Sequence, residues 1–220
     1  MQQYKAFLFD MNGTMIDDMH YHEKAWYDVL VNTLKAPLTP EQVRHELYGK
    51  ADEMFVRIFG NGRFSKEEVE EIIFTKESRY RQEFLPQLKL IDGLTSFLDN
   101  ANVNNILLAI GTAAPALNVD FVLDNLSLRS YFPVIIGAND VASSKPHPEV
   151  FLKAAYALGV QPENCIVFED APKGIEAAHR AGMKAIGITS FHTAEELQSE
   201  NVVHIINDYN DPELNRFFSR

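Results

Sequence analysis

The chain has 220 residues, 46% of them hydrophobic, and a formal net charge of −11; that is enough apolar material to bury a full core in one large domain or one and a half. So acidic a chain argues against nucleic-acid or anionic-membrane partners, which are met by clustered basic charge. A single cysteine, Cys165, precludes an internal disulfide and fits a reducing compartment. Cys165 lies in the apolar run Cys165-Ile166-Val167-Phe168 and reads as a small core residue. No stretch has the length of a membrane span, and Met1–Lys5 does not lead into a signal peptide, so the cytoplasm is the expected compartment.

In chain order, the first element is the run Lys5-Ala6-Phe7-Leu8-Phe9, which ends on Asp10 and turns through Asn12-Gly13. It has the length and character of a buried strand. In open α/β sheets the carboxyl edge is where ligands bind, so Asp10 is placed for chemistry as a nucleophile; a plain turn-opening role stays open beside it. From Asp17 to Phe84 the periodicity is helical throughout, with helices predicted at His22–Lys35, Thr39–Tyr48, Asp52–Phe59 and Ser65–Phe84. Thr39-Pro40-Glu41-Gln42 and Ser65-Lys66-Glu67-Glu68 are capping boxes. The sequence therefore predicts an all-helical insertion, residues 17–85, within an α/β core formed by residues 1–16 and 86–220.

Beyond Leu90 helix and strand alternate, which predicts βαβ units and a parallel sheet. The expected order is a helix at Leu94–Asn102, a strand at Asn105–Ile110, a helix at Leu117–Asn125 and a strand at Pro133–Ile136. There follow a helix at Pro148–Leu158, a strand at Cys165–Phe168, a helix at Lys173–Ala181 and a strand at Lys184–Ile188. A short helix at Ala194–Ser199 and a strand at Val203–Ile206 complete the pattern.

Three later segments add functional groups to the same edge. Gly111-Thr112 offers a hydroxyl and, with Ala113, backbone N–H groups, although Thr112 also reads as a helix cap. Lys145 stands in Ser143-Ser144-Lys145-Pro146-His147-Pro148, where two prolines stiffen the loop around one cation. Glu169 and Asp170 leave an apolar strand side by side, an arrangement that repels itself unless a cation sits between.

Together, Phe7-Leu8-Phe9-Asp10-x-x-Gly13-Thr14, Gly111-Thr112, Lys145-Pro146-x-Pro148 and Phe168-Glu169-Asp170-Ala171-x-x-Gly174-Ile175-x-Ala177-Ala178 resemble the four ordered motifs of the haloacid dehalogenase superfamily. Through Tyr21-His22-Glu23-x-Ala25-Trp26 and the Lys145 loop the chain is most similar to the β-phosphoglucomutase-like phosphatases. The resemblance implies a Rossmann-like parallel sheet core with a small helical cap. It also implies an Asp10 nucleophile that forms an aspartyl-phosphate, and Mg²⁺ held by Asp10, the Asn12 carbonyl and Asp170, with Glu169 acting through water or from behind. Lys145 and Thr112, with the Gly111 and Ala113 N–H groups, would contact phosphoryl oxygens. In the cap, Gly49, Lys50, Lys76 and His22 would face a small phosphorylated metabolite, and a monomer or weak homo-oligomer is expected. Lys76 also reads as a solvated helix lysine.

Asn12 departs from the pattern. Related phosphatases carry an Asp there that protonates the leaving group and then deprotonates water, and an amide does neither. The resemblance leaves three readings open: another acid–base such as His20 or His22, or a good leaving group; a replacement of Asp by Asn; or binding without turnover. Asp52 stands where the mutase has a phosphate-binding arginine, which favours monophosphate hydrolysis over phosphomutase chemistry. A cation-independent dehalogenase is disfavoured by the Glu169-Asp170 pair.

Overall fold

The computed structural model describes residues 4–218. Its elements, in order, are β1 (Ala6–Phe9), α1 (Met19–Tyr27), α2 (Pro40–Glu46), α3 (Ala51–Phe59), α4 (Lys66–Phe84), α5 (Leu94–Val103), β2 (Leu107–Gly111), α6 (Ala116–Asn125), β3 (Val134–Ile136), α7 (Glu149–Ala157), β4 (Cys165–Glu169), α8 (Pro172–Arg180), β5 (Lys184–Ile188) and β6 (Val202–Ile206). They form two compact units: one is the chain up to Asp17 together with everything from Lys89 onward, the other is Asp18–Leu88.

The first unit is an α/β fold around a six-stranded sheet in the order β3-β2-β1-β4-β5-β6, parallel throughout. β1 lies between β2 and β4, and all four of its residues are buried. A strand covered on both faces has no solvent side, which is why it reads as an unbroken apolar run. On one face Ala6, Leu8, Ala109 and Val167 pack with Val150, Phe151 and Ala154 of α7 and Ile175, Ala177 and Ala178 of α8. Small residues on α8 let that helix lie close to the sheet. The other face is aromatic: Phe9 stacks on Phe168 with ring centroids 4.7 Å apart, and Phe7 on Phe97 of α5 at 5.5 Å. Such pairs add about 0.5–1.5 kcal/mol each beyond the area they bury.

Register sets the site. Phe9 pairs level with Ile110 on one side and Phe168 on the other, so the residues that follow, Asp10, Gly111 and Glu169, leave the sheet at one height. The strand order also reverses beside β1, where the chain goes outward through β2 and β3 and then crosses to β4. A crevice at such a switch point is the standard ligand position of open α/β sheets.

The second unit is helical. Both capping boxes form: Thr39 Oγ1 accepts from Gln42 N–H, Ser65 Oγ from Glu68 N–H, and each partner side chain returns the bond. Its core gathers Trp26, Leu30, Val43, Met54 and Phe55. Arg57 holds the loop after α2, donating to the Glu46 carboxylate at 2.8 Å and to the Glu46 and Tyr48 carbonyls. No helix among the described residues is long and apolar enough to cross a membrane.

Three expectations need correction, and one element was not expected. The helix expected over His22–Lys35 starts at Met19 and passes into a π-helical turn at Asp28–Thr33, then ends at Lys35, whose φ of 58° is left-handed. Asn105 is likewise left-handed, serving as the exit from α5, so β2 begins two residues later than expected. Residues 194–199 make a turn and no helix. Thr193 and Glu196 do exchange cap bonds, but Leu197 is drawn into the core and the Asn201 carbonyl must already receive the Ala185 N–H; one turn is all the chain can form in that span. Finally, Pro212–Phe218 is a 3₁₀ helix that no periodicity announced.

Candidate active site

Asp10 extends β1 by one pairing, its N–H donating to the Phe168 carbonyl at 3.0 Å. The residue is nearly buried, 7% exposed. Lys145, from the loop between β3 and α7, donates to Asp10 Oδ1 at 2.6 Å and to Glu169 Oε1 at 2.7 Å. Burial alone would favour the neutral amine; the Asp10 and Glu169 carboxylates outweigh it and hold the Lys145 pKa above the ordinary lysine value. Lys145 is thus a fixed cation against the candidate nucleophile.

Glu169 spends both oxygens within the protein, the second accepting from Ala171 N–H at 2.8 Å. It reaches that position because residue 174 is glycine: a Cβ there would overlap the Glu169 carboxylate. Asp170 is different. Oδ1 accepts from Thr14 Oγ1 at 3.1 Å, whereas Oδ2 is buried with no hydrogen-bond partner. Burial, then Glu169, then Asp10 push the Asp170 pKa well above the usual carboxylate range. A buried carboxylate oxygen without a donor is costly, and a divalent cation shared with Asp10 would relieve it. Among the described residues no three Asp, Glu, His or Cys side chains form a ready metal cluster. Asp10 and Asp170, with the backbone carbonyls of the adjoining turn, offer oxygen donors that could serve a hard divalent cation completing its shell with water.

Residues 10–14 form the turn that carries this centre. Met15 N–H returns to the Met11 carbonyl at 2.8 Å, and Gly13 takes a φ of 72°, which favours glycine. Asn12 is half-buried on it. The turn is tied from behind by the Ser190 hydroxyl on the Gly13 carbonyl and the Tyr209 hydroxyl on the Thr14 carbonyl.

Gly111 ends β2 where a Cβ would come within 2.9 Å of the Phe151 ring. Thr112 is buried; its N–H donates to the Ile136 carbonyl and its Oγ1 accepts from Ala114 N–H at 3.1 Å, leaving the hydroxyl proton as a donor. Thr112 is not the cap of the next helix, as its sequence also allowed: α6 begins at Ala116 after Pro115 with no side-chain cap bond, and Thr112 closes only the short turn that precedes it. Ala113 follows it, half-buried.

Within the helical unit His22 and Lys76 are brought together. Lys76 is 2% exposed, contrary to a solvated helix lysine, and donates to Glu77 at 2.9 Å. Its Nζ lies 2.6 Å from His22 Nδ1, which makes that nitrogen the acceptor and assigns the ring proton to Nε2, 3.4 Å from Asp18. The Tyr80 hydroxyl donates to the same Asp18 carboxylate, and its ring stacks on His22. Burial lowers the Lys76 pKa against the opposing pull of Glu77. His20 is exposed, 3.8 Å from Glu23. Gly49, with φ 72°, and Lys50 form the turn into α3.

Sequence reasoning assigned no role to Thr14, Ser190, Tyr209, Asp18 or Tyr80. Thr14 sat inside a quoted motif, Tyr80 closes the Lys76-Glu77-x-x-Tyr80 stretch and Asp18 meets His22 four residues on; Ser190 and Tyr209 carry no local signal, because they act on main-chain carbonyls far along the chain.

A parallel sheet with acidic strand ends and one buried lysine defines a class, and comparison with known proteins agrees with it. The model of the haloacid dehalogenase-like hydrolases matches residues 7–188, and the chain belongs to that family. It is 32% identical over 200 residues to validoxylamine A 7'-phosphate phosphatase of Streptomyces hygroscopicus subsp. limoneus, covering 91% of this chain and 92% of that protein. To the fructose-1-phosphate phosphatase of Escherichia coli (strain K12) it is 30% identical over 198 residues, 85% of this chain and 97% of that one. The crystal structure of β-phosphoglucomutase from Clostridium difficile superposes with a TM-score of 0.83 at 28% identity, covering 98% of this chain and 97% of the other. Within the family the chain falls in the β-phosphoglucomutase-like subgroup and is an enzyme of the phosphatase and phosphomutase class.

Proposed function

We propose that this enzyme is a Mg²⁺-dependent phosphohydrolase of small phosphorylated metabolites, sugar monophosphates foremost, acting in the cytoplasm through an aspartyl-phosphate on Asp10. The observation that carries the reading is the buried Asp10 carboxylate held by Lys145 beside Asp170, one of whose oxygens lacks a partner.

In this reading Asp10 attacks phosphorus, the bond from phosphorus to the sugar oxygen breaks and that oxygen takes its proton from solvent, since Asn12 has none to give; water then attacks the phosphoenzyme, losing a proton to solvent, to release phosphate and restore Asp10. Lys145 offsets charge on the transferring oxygens, and Glu169 holds Lys145 in place from behind. The Thr112 hydroxyl and the N–H groups of the Gly111–Ala113 turn bind a further oxygen. Asp10, the Asn12 carbonyl and Asp170 would hold Mg²⁺, which when bound neutralises the anionic nucleophile and substrate. We assign substrate choice to the helical unit, through Gly49, Lys50, His22 and the buried Lys76. Support for sugar phosphates comes from the relatives named above; support for hydrolysis over isomerisation comes from Asp52, an anion where the mutase places a phosphate-binding cation.

The test is phosphate release across a panel of sugar monophosphates, with Mg²⁺ and with EDTA, for the wild type and Asp10→Asn. Release that needs Mg²⁺ and vanishes in Asp10→Asn is expected. EDTA-insensitive turnover, or full activity in Asp10→Asn, would overturn the reading, and an isomerised sugar phosphate without free phosphate would make it a mutase.

Metal linkage gives a second check. The raised pKa of Asp170 means that its contribution to folding is present below its unfolded value and is lost as pH rises through the folded one. As pH rises the metal-free enzyme therefore meets a growing cost of ionising this buried carboxyl, which a bound cation would relieve. Saturating Mg²⁺ should raise Tm more at about pH 7.5 than at about pH 5, where protons compete for the same group; an equal or reversed shift in a calorimetric scan would contradict the assignment of Asp170.

A further inference from the structure

Tyr209 lies outside every motif, in the polar stretch that follows β6, yet it is only 5% exposed. Its backbone N–H donates to the Asp92 carbonyl at 3.0 Å, and Gly93 leaves room for it: a Cβ there would come within 2.7 Å of the Tyr209 carbonyl carbon. The ring packs among Phe9, Phe97 and Phe168, directly under the strands that end at Asp10 and Glu169. Its hydroxyl donates to the Thr14 carbonyl at 3.0 Å, and the Thr14 hydroxyl donates to Asp170 Oδ1 at 3.1 Å. All three groups are buried, so water does not compete for either bond.

We infer that Tyr209 is a positioning residue for the phosphoryl-transfer centre: through Thr14 it fixes the Asp170 carboxylate so that Oδ2 faces the cation. This deepens the function proposed above and rests on it. The chemistry is that of an outer hydrogen-bond partner to a metal-binding carboxylate. Asp170 has one oxygen restrained by a hydroxyl and one left without a protein partner, and a carboxylate with both oxygens free could rotate about its last torsion. Thr14 restrains it only if Thr14 is itself held, and the bond holding its carbonyl comes from Tyr209. The phenol is suited to the task because burial, followed by the charges of Asp170 and Asp10, raises its pKa well above the usual tyrosine value; it stays a donor at any pH at which the enzyme works. Ser190 braces the neighbouring Gly13 carbonyl but touches no carboxylate, so the path to Asp170 runs through Tyr209 alone of these two hydroxyls.

The experiment is calorimetric titration of the metal-free enzyme with Mg²⁺, for wild type, Tyr209→Phe, Thr14→Val, Thr14→Ser and the double variant Tyr209→Phe/Thr14→Val. Phenylalanine keeps the ring packing, so Tm of the metal-free variant should stay within a few degrees of wild type, while Mg²⁺ affinity falls about tenfold, the low end for loss of an outer-shell partner. Thr14→Ser, which keeps the donor, should bind as wild type does. The double variant should bind no more weakly than Thr14→Val, because the effect of Tyr209 passes through Thr14. Unchanged affinity in Tyr209→Phe, or additive losses in the double variant, would overturn this inference while leaving the proposed function standing. Failure of the wild type to bind Mg²⁺ would overturn both.

Discussion

Replacing Asn12 by Asp should raise turnover of alkyl phosphates by about 10²–10⁴-fold, the usual worth of a placed general acid–base. Asn and Asp have the same shape, and residue 12 is half-buried on a turn whose carbonyls are already tied by Ser190 and Tyr209, so the substitution changes proton chemistry with little change in geometry. The gain should depend on the leaving group. A sugar alkoxide departs only if it receives a proton, whereas a nitrophenolate departs without one. The Asn12→Asp to wild-type ratio of kcat should therefore be large for a sugar phosphate and small for an aryl phosphate. Mg²⁺ affinity should change little, since the ligand expected from this position is the main-chain carbonyl. Equal rates for both chains on a sugar phosphate at saturating Mg²⁺ would refute this account of position 12. Such a result would point to an acid–base elsewhere, and His22, with its Nε2 proton assigned toward Asp18, would be the first place to look.

A Gly174→Ala variant should lose about 10²-fold or more in kcat/KM and should melt at a lower temperature. Helix propensity alone predicts the opposite sign, because alanine stabilises a helix by about 0.5–1 kcal/mol over glycine. Sterics decide the outcome. The added methyl would occupy the place of the Glu169 carboxylate, whose two oxygens hold Lys145 and the Ala171 N–H. Displacing Glu169 frees Lys145 from one of its two anchors, and loosening one electrostatic contact to the transferring group typically costs 10²–10³-fold. Adding Glu169→Ala to Gly174→Ala should recover much of the lost Tm without recovering activity. A Gly174→Ala enzyme with wild-type kinetics would show that the carboxylate has another place to go.

The sheet was legible because β1 and β4 are buried on both faces and cannot hide as alternating patterns. Asp10, Glu169 and Asp170 stood out in the sequence because they fall where apolar runs stop, whereas Lys145 stood out through the prolines of its loop. Asp10, Lys145, Glu169 and Asp170 are separated by up to 160 positions in the chain, yet parallel pairing at one register puts the first, third and fourth on one rim. What escaped was local structure under tertiary control. The segment at 194–199 has a helical start signal and an apolar residue in step, but the burial of Leu197 in the core and the pairing of Asn201 with β5 leave no room for a second turn. Lys76 escaped for a related reason: a Lys-Glu-x-x-Tyr stretch on a polar helix carries no mark of burial, and only the placement of His22 and Trp26 against it supplies one. Tyr209 was invisible because its worth lies in one hydroxyl bond to a carbonyl 195 residues earlier.

The central place of β1 bears on how the chain reaches its native state. The earliest strand of the sheet in chain order is paired at Ala6 with Leu107 on one edge and Cys165 on the other, so its apolar residues stay uncovered until the chain has been made through β4. Asp18–Leu88, by contrast, is a compact unit continuous in sequence and can consolidate while the sheet is still incomplete. Pairings between such distant segments form slowly, and an exposed Phe-Leu-Phe segment in the interim is a point of aggregation. Truncations that remove β4 should consequently give insoluble protein rather than a smaller folded one.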